Sequence, residues 1–184
     1  MKHWDVFSNY RFYLRGIAIP NCQRFFEYEV AFFSKDNSEM FGEAAIMRIR
    51  LFFNAAESLN NAIDYVAHSF PDEVKSFELV NKASDFPKRA SQVPGELASL
   101  REIVNAYKHC VRGFNEGRDG PVSKPNARHL LGPTLSFDFE NQDYYVGPSI
   151  PQREHVNILH AAYHFWSEAL KSDAFPFADQ LADQ

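Results

Sequence analysis

From Ala45 to Phe70 the residues Ala45, Ile49, Phe52, Ala56, Leu59, Ile63, Val66 and Phe70 follow one another at steps of four, three, four, three, four, three and four. Steps of this kind keep a seam of apolar side chains on one side of an α-helix, and the seam is stable only when another element covers it. Asn37, Ser38 and Glu39 supply capping residues ahead of it, so the spacing predicts one long helix over 39–70, closed by Pro71. Its other sides carry Arg48, Arg50, Glu57, Asn60, Asn61 and Asp64. A chain built round such a segment is expected to be a helical bundle.

The remaining segments fit that frame. Trp4, Phe7, Arg11 and Leu14 recur at helical intervals, and Gly16 followed by Pro20 predicts a stop after a short first helix. In 22–35, Phe25, Phe26, Val30 and Phe33 suit a helix while Phe26, Tyr28, Val30 and Phe32 also alternate as a strand would; the helix is the reading adopted. Residues 72–95 are charged and broken by Pro87 and Pro94, which predicts a connection with one helical turn or more. A further amphipathic helix is expected over 97–114 on Leu97, Leu100, Val104, Tyr107, Val111 and Phe114. A last one is expected over 152–171 on Val156, Leu159, Tyr163, Trp166 and Leu170, ahead of a tail that frays. Between these two helices lie a Gly/Pro-rich loop and an alternation in LSFDFE followed by YYV that suits a small β-hairpin. The expected fold class is therefore mainly α. It is a single domain over 1–184, a bundle of four to five helices with a loop and hairpin insertion at 115–150.

Composition narrows the function classes. With 45% hydrophobic residues a real core can form, and 18 Phe against 3 Met imply either a core of large rings or an aromatic surface for a partner. A net charge of −5 gives no global attraction to nucleic acid or to an anionic membrane, so such binding requires a local basic patch. Cys22 and Cys110 stand far apart with no CxxC or Cys/His grouping, which fits a reduced cytoplasm better than a disulfide framework or a thiolate zinc site. The first residues lack a secretory pattern and no stretch is apolar enough to span a bilayer, so a cytoplasmic protein without membrane contact is expected.

The helix over 97–114 carries the best candidate site. Arg101, Asn105 and His109 lie four residues apart and rise along one strip, flanked by Lys108 and Arg112. Arginine and lysine supply charge for a phosphate, asparagine a neutral hydrogen-bonding arm, and histidine a group that moves a proton near neutral pH. Metal-independent cleavage of an RNA backbone needs those parts: one group deprotonates the 2′-hydroxyl and others stabilise the charged phosphorane. The same strip lies opposite the apolar seam, where charged residues stand by default on a water-facing side.

A long helix followed by one carrying an arginine, a polar residue and a histidine resembles the HEPN superfamily, small helical-bundle proteins common in bacterial toxin–antitoxin and antiviral systems. That family's signature is an arginine, a polar residue directly after it, and a histidine a few residues on. Asn105 and His109 match the polar residue and the histidine; Val104 stands at the arginine position and Arg101 lies one turn earlier. The resemblance implies an RNA-binding or RNA-cleaving protein without a cofactor. In that role His109 is the general acid or base, Asn105 orients, and Arg101, Lys108 and Arg112 act on phosphate.

Two other readings come from different classes. Exposed rings and helical seams suit a non-catalytic interaction module that binds a cognate protein or a second copy of itself. His160, His164 and Glu168, spaced by four on the last helix, are weak candidates for a bundle-borne metal site; the sequence is HAAYH, without the glutamate of a zincin HExxH. The chain has no GxxxxGK[ST], GxGxxG or GxSxG. Arg118, Lys124, Arg128 and His129 of the loop are the remaining candidates for an anion.

Overall fold

The computed structural model describes residues 9–34, 43–113, 135–138, 143–146, 151 and 153–179, and their side chains over 9–34, 43–105, 151 and 153–179. The described chain is overwhelmingly helical. It opens with α1 (Tyr10–Tyr13), capped by Asn9, whose side chain accepts from the Arg11 amide at 2.9 Å. A π-helical turn, Leu14–Ala18, then leads without a break into α2 (Ile19–Ser34).

The stop expected at Gly16 and Pro20 therefore does not occur. Pro20 has no amide proton and its ring would press on the carbonyl four residues back in an α-helix. The π turn widens the helix at that place, with the Ile19 amide bonded to the Leu14 carbonyl five residues earlier. Helix α2 itself settles the double periodicity of its segment: Cys22 and Phe25 are buried, while Val30 and Phe33 are exposed.

The long seam forms α3 (Glu43–Ser69); the expected start near residue 39 falls in 35–42, which lie outside the described residues. Its buried arc is wider than the seam, adding Phe53, Ala55 and Ala62 to Phe52, Ala56, Leu59, Ile63 and Val66. The width follows from position, since α3 packs on α1 and α2 and also on the later helices.

Pro71 begins a helix as well as ending one. The Phe70 backbone leaves the helical region, and Pro71 takes the first position of α4 (Pro71–Val80), where no amide donor is needed. Asp72 and Glu73 in that first turn suit its positive end. Helix α4 closes with the Lys82 and Ala83 amides bonded back to the Leu79 and Glu78 carbonyls, and with Lys82 at φ 49, a left-handed position usually given to glycine. Next comes α5 (Phe86–Gln92), capped by Asp85. The stretch expected to be a connection thus contributes two helices.

Helix α6 (Gly95–Gly113) buries Leu97, Leu100, Ile103 and Val104. Two four-residue stretches, β1 (Leu135–Asp138) and β2 (Asp143–Val146), pair antiparallel with Leu135 opposite Val146. Helix α7 (Arg153–Ala169) packs on α6, α3 and α2 and buries His155, Leu159, Ala162 and Trp166.

The tail after α7 is ordered as far as it is described. Phe175 and Phe177 are buried, with ring centroids 6.0 and 5.7 Å from Phe86, and Phe177 lies 6.3 Å from Phe77 and 5.7 Å from Phe165. Arg11 holds the approach to this cluster by donating to the carbonyls of Leu170 at 2.9 Å and Ser172 at 2.7 Å and by pairing with Asp173. Much of the phenylalanine excess is thus core, linking α4, α5, α7 and the tail. No helix among the described residues is long and apolar enough to cross a membrane.

Candidate functional site

One continuous helix, α6, carries Arg101, Asn105 and His109, so their backbone positions climb a single strip a turn apart. Leu100, Ile103 and Val104 fix the orientation of that helix, each at most 1% exposed. With this face turned inward, Asn105 reaches solvent. The side chains of Lys108, His109 and Arg112 lie outside the described residues, as do Arg118, Lys124, Arg128 and His129 in full.

Arg101 is half-buried and bonded to α5. One Nη1 donates to the Pro87 carbonyl at 2.7 Å and to the Ser91 hydroxyl oxygen at 3.1 Å. Ser91 is fully buried and donates in turn to the Lys88 carbonyl at 2.8 Å. A guanidinium in that position satisfies polar groups that burial would otherwise leave short of partners, so Arg101 has a structural duty joining α5 to α6.

On α7 the three candidate ligands do not gather about one point. His160 lies flat on Phe26 of α2, with ring centroids 3.9 Å apart and planes 7° from parallel. His164 Nε2 stands 3.7 Å from Glu168, and Glu168 also accepts from Lys171 at 2.6 Å, the bond chiefly responsible for holding its carboxyl below the usual range. Among the described residues no three His, Cys, Asp or Glu side chains gather as a metal would require.

Several polar features have no signature in the sequence. Arg48 of α3 grips both carboxylate oxygens of Glu29 on α2, at 2.5 and 2.6 Å, and its guanidinium lies 5.4 and 5.1 Å from the Phe32 and Phe33 rings. Arg48 and Glu29 are 19 positions apart in sequence, which leaves no local spacing by which to foresee this clamp. His155 is 3% exposed in the core, 6.3 Å from Phe52, and burial lowers its pKa from the ordinary 6.5. Tyr13 stacks on Tyr65 at 3.8 Å and donates to the Ser58 carbonyl; burial, more than any other cause, pushes its phenol up. Burial also pushes the Cys22 thiol up to about 12, which leaves it protonated and inert at neutral pH. A pocket of about 140 Å³ is lined by Asn9, Arg11, Phe12 and Arg15, with Arg11 already committed to the tail.

Compared with models of known families, with curated proteins and with solved structures, the chain matches none.

Proposed function

We propose that this is a HEPN-like protein that binds or cleaves RNA without a metal, using the strip along α6. The observation that supports the reading is the placement of Asn105 and His109 one turn apart on a helix whose opposite face is locked into the core, with Asn105 open to solvent. His109 is the proton-transferring group in this scheme, Asn105 orients the phosphate, and Lys108 and Arg112 neutralise it. Arg101 differs from the rest. Its bonds to Pro87 and Ser91 make it a support for the α5–α6 junction, and the positive charge on phosphate falls to the later turns of α6. The segment 115–150, hairpin included, is read as an insertion ahead of α7.

The test is cleavage of a labelled single-stranded RNA in the presence of EDTA. Activity that persists in chelator and falls at least about 100-fold in His109→Ala supports the proposal, in line with the loss of a general acid or base. Equal activity in His109→Ala removes His109 from the chemistry, and loss on chelation removes the metal-independent mechanism.

A second reading is favoured by the commitment of Arg101 to α5 and by the exposed apolar residues Val30 and Phe33 on α2, which are 72% and 62% exposed. In that reading the chain is a non-catalytic module that buries a protein partner or a second copy. A strictly monomeric chain that retrieves no protein partner and neither binds nor cleaves RNA argues against both.

A further inference from the structure

The exposed side of α7 carries Arg153, Asn157, His160 and His164 at steps of four, three and four, and each is solvent-exposed. Such steps put them on one strip. No carboxylate interrupts this run; the next residue of similar orientation, Glu168, is held by Lys171 and stands beside His164. At the middle of the strip the His160 imidazole lies on the Phe26 ring at 3.9 Å, and Tyr163 meets Phe26 edge-on at 5.4 Å and 90°. One face of the imidazole is therefore covered and its rotation restrained, while the residue remains open to water.

We propose that His160 is a stacking platform for an unpaired base of single-stranded RNA, with Arg153 on the backbone and Asn157 at the base edge. The inference rests on the RNA reading above and extends it by adding a binding surface apart from the α6 strip. A flat ring held in place by a second ring costs little further ordering when a base lands on it, and histidine is among the side chains on which unpaired RNA bases stack. Sequence preference is weak in such a contact because every base offers a π face. The strip carries a single arginine, Arg153, so its phosphate contribution is small and stacking has to carry a large share of the affinity.

The test is fluorescence anisotropy of the full chain with a labelled single-stranded RNA 12-mer and, in parallel, with an abasic oligomer of the same length. His160→Ala is expected to weaken binding of the 12-mer by about 5- to 20-fold, within the range for losing one base–aromatic stack, and to leave the abasic oligomer unaffected. His160→Phe keeps a ring and is expected to restore binding. Equal binding by the wild type and His160→Ala overturns the platform, as does a matching loss for the abasic oligomer. If His160→Ala instead changes the oligomeric state on gel filtration, the ring belongs to a contact between copies and the proposal fails. A wild-type chain that binds neither oligomer overturns this inference and the RNA reading together. Base-dependent binding through His160 without His109-dependent cleavage removes only the catalytic part of that reading.

Discussion

At the scale of single residues, Arg101 shows how a side chain can look catalytic in a sequence and be structural in a fold. Its spacing to Asn105 and His109 is the spacing of a site, yet its Nη1 serves the Pro87 carbonyl and the buried Ser91 hydroxyl. Replacing it with methionine retains much of the apolar stem and removes the charged donors, so Arg101→Met is expected to cost about 1–3 kcal/mol in urea unfolding. RNA affinity should change little in that variant. A large loss of affinity at unchanged stability would return the guanidinium to the phosphate. His155 offers a second residue-scale test. Its folded pKa is lowered, so as pH falls through 6.5 the unfolded chain takes up its proton first and stability declines, levelling off below the folded value. The neutral form, and with it the full contribution of this histidine, is present above 6.5. Urea midpoints at about pH 7.5 and 5.5 should differ less in His155→Gln than in the wild type; an unchanged pH dependence would assign the decline to other groups.

At the scale of elements, the legible parts were those in which an apolar period runs uninterrupted. Helices α3, α6 and α7 announce themselves because their seams face one another and burial acts on the same residues that set the period. Elsewhere a local signal is outweighed by a neighbour. Pro20 reads as a stop, but the residues on both sides pack on α3, and the helix absorbs the missing donor in a π turn. Pro71 closes α3 as expected and also opens α4, while Pro87, which reads as a break, sits in the first turn of α5, where proline is suited. The tail reads as fraying because Asp, Ala and Gln dominate it, and the cluster partners of Phe175 and Phe177, which are Phe70, Phe77 and Phe86, are remote in sequence. Phe177→Ala is accordingly expected to lower stability by about 3–5 kcal/mol, the range for a buried phenylalanine. Phe12→Ala, at a ring 55% exposed, should stay within about 0.5 kcal/mol, and thermal or urea unfolding of the pair makes the comparison.

At the scale of the whole molecule, the aromatic content divides into two uses. Rings at the α4, α5, α7 and tail junction form a continuous buried cluster, and rings along α2 lie against Arg48 and His160. Such division is invisible in composition, since 18 phenylalanines count alike wherever they fall. The same holds for the candidate site: the sequence names polar residues on amphipathic helices, and only packing separates Arg101, which is held, from Asn105, which is open. The clamp of Arg11 on Leu170, Ser172 and Asp173 carries a further consequence for how the protein is made. A growing chain cannot seal its aromatic cluster until the ribosome has released Phe177, so Phe77 and Phe86 stay accessible to chaperones and proteases until that point. A message cut short after α7 would yield a product with nearly every helix and no lid over its stickiest surface, and cellular quality control would recognise it as unfinished.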